Sequence, residues 1–183
     1  NPIQEMFRLY VKFHDELKNN PELEKAGQDE FKKLEEGDLT NVKLWAVFRN
    51  WSLFEFDKIY KILDIKFSGP DVIKKGEAEY NPKLKPLIEE LKTKGIVKES
   101  EGALIVELEN LPVAMLQKSD GATLYMTRDL ASLEDRLTNK EYGHPSKILY
   151  VVANQQALHL EQLFAIAKKL GWNDAELAHV KFG

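Results

Sequence analysis

The last third of the chain alternates short apolar runs with helical patterns, and this alternation restricts the fold more than any other feature. Residues 148–153 read Ile-Leu-Tyr-Val-Val-Ala, a continuous apolar run typical of a strand buried on both faces of a parallel sheet. A helical pattern ended by Gly171 follows, and residues 179–182 begin another strand. A short strand at 113–116 and a helix capped by Thr127 come before them. The order strand, helix, strand, helix, strand predicts a doubly wound α/β sheet.

The middle of the chain, residues 65–118, predicts a small α/β insertion. A Gly-Pro pair at 69–70 marks a boundary, and an Asn-Pro pair at 81–82 opens a helix that ends at Gly95. Strand-forming residues on both sides of a polar turn within 96–108 predict a β-hairpin.

Residues 1–64 predict a helical segment. Apolar residues at helical spacing give a first helix between Ile3 and Leu17, and a more polar pattern gives a second at 21–36. A capping-box pattern at Ser52 predicts the start of a new helix there. Aromatic side chains are frequent in this region, and their helical spacing indicates core packing. They are Trp45, Phe48, Trp51, Phe54, Phe56 and Tyr60.

Composition excludes several classes of protein. The chain has no cysteine, which excludes a disulfide framework and a cysteine-based zinc site and fits a reducing compartment. It has no apolar run near the about 20 residues of a membrane helix, and residues 1–5 are not a secretory signal. The 26 basic and 30 acidic residues are interspersed, which argues against a large nucleic-acid contact on this segment.

Two connections that follow predicted strands are candidate ligand sites, because ligands bind beyond the carboxyl ends of strands in such sheets. In residues 119–129, Tyr125 and Asp129 are four positions apart, which places a phenol and a carboxylate on one helix face. A buried carboxylate beside a hydroxyl suits a planar guanidinium cation. The alternative is that Asp129 only offsets the positive end of a helix and Tyr125 packs.

The second connection, residues 154–159, contains two amides and a histidine. Gln155 and Gln156 can both donate and accept hydrogen bonds, which suits an amino or carboxylate group; the alternative is a polar surface loop. His159 one turn further on is also explained as a helix-start or packing residue. No catalytic triad, phosphate-binding glycine loop or metal-ligand cluster is visible. The residues by themselves therefore predict a pocket for a small cationic ligand.

Several segments resemble arginyl-tRNA synthetases. Residues 118–131 read Lys-Ser-Asp-Gly-Ala-Thr-Leu-Tyr-Met-Thr-Arg-Asp-Leu-Ala and are similar to a signature of that family. Residues 148–159, followed by Gln-Leu-Phe at 162–164, match a second one. Residues 179–183 are similar to the strand that leads into the family's signature loop. Weaker matches lie upstream, at 44–45, 52–53, 58–60, 76–80 and 102–103.

This resemblance implies a class I Rossmann-type catalytic domain, of which residues 119–183 would form the second half of the parallel sheet. It also implies a cytoplasmic arginine-tRNA ligase, which activates L-arginine with ATP and charges it onto its tRNA. ATP, with Mg²⁺, would be a co-substrate, and no tightly bound cofactor is expected. The tRNA would contact mostly other parts of the enzyme, and no membrane partner is expected.

The resemblance also assigns site residues. Tyr125 and Asp129 would bind the guanidinium of arginine, and Gln156 would hold its α-amino end. Three residues would lie near ATP: His159, His179 and Val180.

The family's HIGH-type and KMSK-type motifs are absent from the chain, and they would fall before Asn1 and after Gly183. Because these motifs stabilise the phosphates during adenylate formation, we expect residues 1–183 to be inactive alone and assign no catalytic residue to them. Two other hypotheses stay open. One is an arginine-binding module without catalysis; the other is an interaction domain that docks a partner around Trp45 and Trp51.

Overall fold

A computed structural model of the chain describes residues 1–67 and 75–183, so the predicted boundary at 69–70 lies outside the described residues. Contacts divide the chain into two compact units, Asn1–Pro70 and Asp71–Gly183. Among the described helices, none combines the length and the apolar character needed to cross a membrane.

The first unit contains three helices, α1 (Pro2–Leu17), α2 (Glu22–Glu35) and α3 (Leu39–Ile62). The first two confirm the sequence prediction. The predicted helix start at Ser52 is wrong, because α3 is continuous and the Ser52 hydroxyl donates back to the Phe48 carbonyl at 3.0 Å. The true cap of α3 is Asp38, whose carboxylate accepts two backbone N–H bonds at 3.0 Å each.

The aromatic side chains of α3 are not a core in this chain. No described residue of the first unit is fully buried, and Phe54 is 64% exposed. The prediction of core packing is therefore wrong here. Apolar side chains surround α3 on more than one face, and α1 and α2 do not cover all of them. The exposed ones on α3 include Leu44, Val47, Trp51, Leu53, Phe54, Phe56 and Ile59.

The second unit contains three α-helices, three short 3-10 helices and five strands within its described residues, 75–183. The α-helices are α4 (Asn81–Thr93), α5 (Tyr125–Thr138) and α6 (Ala157–Lys169). The strands are β1 (Lys98–Ser100), β2 (Ala103–Leu108), β3 (Leu111–Gln117), β4 (Lys147–Ala153) and β5 (Glu176–Phe182). Helix α4, the hairpin β1–β2 and helix α6 confirm the sequence prediction.

The strands form two separate sheets. Strands β1, β2 and β3 are antiparallel in that order, whereas β4 and β5 are parallel and joined through α6. The strand predicted at 113–116 is therefore present, but its place in the parallel sheet is wrong because it pairs with β2. The α/β character of the chain is confirmed.

Strand β4 is buried on one face instead of the predicted two. Ile148, Tyr150 and Val152 pack against the core, while Leu149 and Val151 are exposed. No described element covers that second face. The prediction of burial on both faces is therefore wrong for these residues.

One hydrophobic core joins α4, the antiparallel sheet, α5 and α6. Because residues of 65–118 and 119–183 both contribute to it, the division of the chain at residue 118 stays a prediction. The largest fully buried side chains are Leu91, Val106, Leu116, Leu130, Leu133, Leu163 and Ile166.

Candidate functional site

A tight turn sets the start of α5. The Asp120 carboxylate accepts the Ala122 N–H at 2.9 Å, and Gly121 has φ +86°, a left-handed conformation that favours glycine. The Leu124 N–H then donates to the Leu116 carbonyl at 3.0 Å. The predicted turn at 119–122 is confirmed, and it leads directly into the helix that bears Tyr125.

The sequence predicted that Thr127 caps this helix, and that prediction is wrong. The helix begins at Tyr125, and Thr127 is fully buried inside its first turn. Its hydroxyl donates to the carbonyl of Leu116 at 2.6 Å, which ties α5 to β3. This bond fixes which face of α5 points inward and so orients the side chains of Tyr125 and Asp129.

Asp129 contacts His159 across the α5–α6 interface. Its Oδ2 lies 2.6 Å from the imidazole Nε2, and the two side chains are 35% and 27% exposed. Asp129 is thus partly exposed instead of buried as predicted. Its other oxygen, Oδ1, has no hydrogen bond or ion pair within residues 1–67 and 75–183, so it remains available to a cation.

Tyr125 precedes Asp129 by one turn of α5 and is 69% exposed. Because positions i and i+4 share a helix face, its phenol lies on the same side of the helix as Asp129. Its exposure excludes the alternative in which Tyr125 packs into the core of this unit.

The amides predicted as ligands lie where β4 ends. Gln155 and Gln156 are both exposed in a 3-10 turn, Asn154–Gln156, that leads directly into α6. His159 lies in the first turn of that helix, so the chain brings Gln156, His159 and Asp129 to one region. Because these amides are exposed at a strand end, they are accessible to a ligand.

The two remaining predicted residues lie on β5. His179 is paired in register with Tyr150, and its Nε2 lies 3.0 Å from the Val152 carbonyl of β4. Val180 pairs with Val151 on the exposed face of the parallel sheet. Among the described residues, neither His179 nor Val180 forms a side-chain hydrogen bond or ion pair with Asp129.

A buried ionic cluster at the other end of α5 was not predicted from the sequence. The Asp135 side chain is 4% exposed and accepts hydrogen bonds from Lys75 at 2.7 Å and Lys83 at 2.5 Å. Burial raises the pKa of Asp135, but the two lysine hydrogen bonds outweigh it and hold that pKa below its ordinary value. The available signal was helical spacing, because Asp135 continues the buried row of Thr127 and Ala131.

Two tyrosines were also missed. Burial and a hydrogen bond with Tyr80 raise the pKa of Tyr142, beside Lys75, to about 12. Burial likewise raises the pKa of Tyr150, which accepts a hydrogen bond from Arg136 at 3.2 Å. The charge of Asp129 adds to the rise in the pKa of Tyr150, so this phenol belongs to the electrostatic surroundings of the candidate site.

Known proteins similar to this chain belong to the family that its sequence motifs resemble. The family described as tRNA synthetases class I (R), catalytic domain, matches residues 1–183. The arginine-tRNA ligase of Lactobacillus acidophilus is 48% identical over 185 residues, and that of Clostridioides difficile is 46% identical over 186. Each alignment covers 100% of this chain but 32% of the relative, so the chain spans about a third of the length of these relatives.

A solved structure is also similar. The arginyl-tRNA synthetase from Plasmodium falciparum aligns with a TM-score of 0.76 and 32% sequence identity. The alignment covers 89% of this chain and 28% of that one.

Proposed function

The chain belongs to the catalytic-domain family of class I tRNA synthetases for arginine, and we propose that it forms part of an arginine-tRNA ligase. The whole enzyme would activate L-arginine with ATP and charge it onto tRNA. The observation that carries this proposal is Asp129, which lies on α5 in the family's signature segment with one carboxylate oxygen unused by the described residues.

Asp129 and Tyr125 form the proposed contact with the arginine side chain. A guanidinium presents a planar fork of donors, which pairs with a carboxylate and an adjacent hydroxyl better than the compact ammonium of lysine does. Citrulline has the same shape as arginine but no charge, so it would leave the carboxylate without its counter-ion. This arrangement supports selection of arginine over both amino acids.

Gln156 is the proposed ligand of the α-amino end of arginine, because its exposed amide lies where β4 ends. His159, His179 and Val180 are the proposed residues near ATP. Residues 75–183 include no group of three or more His, Asp or Glu side chains suited to a metal ion, and we assign none of them to the Mg²⁺ that accompanies ATP.

Strands β4 and β5, joined by α6, support a further proposal about architecture. A parallel strand-helix-strand unit is the building block of a Rossmann-type sheet, so we propose that residues 119–183 are part of such a sheet's second half. Residues 1–64 would then form a helical segment and residues 65–118 a small insertion. Because the sequence contains no HIGH-type or KMSK-type motif, we propose that residues 1–183 alone do not form adenylate.

The test is arginine-dependent ATP–pyrophosphate exchange by the full-length protein. We expect exchange with arginine and none with lysine or citrulline, and we expect Asp129→Ala to abolish it. Asp174→Ala is the matched control, because Asp174 is an exposed loop residue outside the site. Exchange that persists in Asp129→Ala would refute the assignment of Asp129, and exchange by residues 1–183 alone would refute the proposal that they are inactive.

A further inference from the structure

His159 makes a contact that its proposed position near ATP does not require. Its Nε2 lies 2.6 Å from Asp129 Oδ2, and this bond joins the first turn of α6 to the second turn of α5. The other imidazole nitrogen, Nδ1, has no hydrogen-bond partner within the described residues. One ring nitrogen is thus committed to the carboxylate, while the other stays available to a ligand.

We propose that His159 is a positioning residue that orients the Asp129 carboxylate for the guanidinium of arginine. This inference rests on the proposed function of Asp129. A partly exposed carboxylate rotates easily about its last torsion, because that torsion has broad minima. A hydrogen bond from Nε2 to Oδ2 holds the group in one rotation and leaves Oδ1 directed to another partner. The bound guanidinium then meets a fixed acceptor and loses less entropy on binding.

The contact is not needed to hold the two helices together. Helices α5 and α6 already share a buried apolar core, to which Leu130, Leu133 and Leu163 contribute fully buried side chains. His159 and Asp129 are both partly exposed, and ion pairs that are accessible to solvent contribute little to the free energy of unfolding. A role in orienting a ligand-binding group explains a short bond at this place better than a role in packing.

The experiment compares arginine with citrulline in the full-length protein, without ATP, by isothermal titration calorimetry. We expect His159→Leu to weaken arginine binding about tenfold, the size of effect typical for a lost hydrogen bond to a charged group. Citrulline binding should change by less than about twofold, since citrulline gains little from a charged partner. His14→Leu is the matched control, because His14 lies on α1 in the other unit.

Two amide variants separate positioning from packing. His159→Gln places an amide nitrogen at about the same distance from the backbone as the imidazole Nε2. We therefore expect this variant to keep most of the selectivity for arginine over citrulline. His159→Asn is shorter and loses that donor, so we expect it to behave like His159→Leu. If His159→Leu does not fold, the contrast between the Gln and Asn variants still decides the question.

The outcomes are distinguishable. An equal loss of arginine and citrulline binding, an unchanged arginine Kd, or tighter arginine binding in His159→Leu and His159→Asn would each overturn the positioning role. If the unmodified protein does not bind arginine, or if Asp129→Asn binds it as before, the proposed function fails and the inference fails with it. Intact arginine binding that depends on Asp129 but not on His159 would overturn the inference alone.

Discussion

Two aspartates on α5 have different surroundings in this molecule, although they belong to the same helix. Asp135 is buried and accepts hydrogen bonds from two lysine ammonium groups. Asp129 is partly exposed and contacts one imidazole through a single oxygen. A carboxylate with two ammonium partners has little remaining attraction for a ligand cation, whereas one with an unused oxygen can bind it. Partner number and burial therefore distinguish Asp135 from Asp129, the carboxylate that we propose binds the ligand.

Helix geometry accounts for their different surroundings. The two positions are six residues apart along the helix, and about 100° of rotation per residue places them roughly 120° apart around the axis. Asp135 consequently follows the inward row of Thr127 and Ala131, while Asp129 shares a face with the exposed Tyr125. The same helix thus presents one carboxylate to the protein interior and one to the partly exposed side that we propose binds the ligand.

The largest expected effect is on arginine use in Asp129→Asn. This change keeps the shape of the side chain but removes its charge, so we expect kcat/KM for arginine in pyrophosphate exchange to fall about a thousandfold or more. Because Asp129 is partly exposed, the free energy of unfolding should change by less than about 1 kcal/mol. A variant that lost stability but kept its kinetics would reverse the roles assigned to the two aspartates.

Asp135→Ala should give the opposite result, a loss of stability without loss of arginine affinity. Removing one partner of a fully buried ion pair costs about 3–5 kcal/mol. The lysine side chains here are 25% and 43% exposed, so we expect about 2–3 kcal/mol in urea-induced unfolding. The arginine Kd of the folded protein should not change. Stability equal to that of the unmodified protein would show that the ionic cluster of Asp135, Lys75 and Lys83 does not stabilise the fold.

The pH dependence of this loss follows from the lowered pKa of Asp135. An acid whose pKa is depressed by folding contributes stability above its unfolded pKa, and the contribution disappears as the pH falls through the folded pKa. The difference in stability between the unmodified protein and Asp135→Ala should therefore be full at neutral pH and shrink below about pH 4. Unfolding curves across that range measure it, with Asp174→Ala as the control.

The contrast between these aspartates also marks what the sequence could predict. Asp129 lies in a continuous segment whose spacing and family resemblance both indicate a ligand site. Asp135 was missed because its partners, Lys75 and Lys83, are 60 and 52 residues away along the chain, and local patterns do not report such distances. The contact between Asp129 and His159, 30 residues apart, was missed for the same reason.

The fold has the same division between local and distant information. Helices α1, α4 and α6 follow from apolar spacing and end signals, and the more polar α2 follows from end signals; both kinds of signal are local. Strand β3 was assigned to the wrong sheet, since its partner strand is chosen by tertiary packing. Ser52 resembled a helix cap, but a serine inside a helix can satisfy its hydroxyl on a preceding carbonyl, and only the structure distinguishes the two.

A smaller effect is expected at high pH from Tyr142, a neighbour of Asp135 in the same cluster. Folding raises its pKa to about 12, so its contribution to stability is full below about pH 10 and is lost as the pH rises through about 12. Between these two pH values, we expect the free energy of unfolding of Tyr142→Phe to fall by about 1 kcal/mol less than that of the unmodified protein. Urea unfolding and phenolate absorbance measure it, with the exposed Tyr10→Phe as the control. An identical alkaline loss in both proteins would contradict the assignment.

The smallest effect concerns Glu134, a third carboxylate on α5 that lies between the two cases. Burial, followed by repulsion from Glu90, raises its pKa above the ordinary 4.5. A raised carboxyl pKa means that the ionised form is less favourable in the folded state, so stability is full below about pH 4.5 and falls as the pH rises through the folded pKa. We therefore expect Glu134→Gln to stabilise the protein at neutral pH by about 0.5 kcal/mol.

This gain should be absent below about pH 4, where the unmodified carboxyl is protonated and therefore uncharged, like the glutamine amide. Glu161→Gln on α6 is the matched control, because Glu161 is exposed and its replacement should change nothing. If Glu134→Gln destabilised the protein at neutral pH, Glu134 would belong with Asp135 as a paired carboxylate. Stabilisation would instead indicate that the number of close cationic partners, and not burial by itself, determines whether a carboxylate on α5 stabilises the fold.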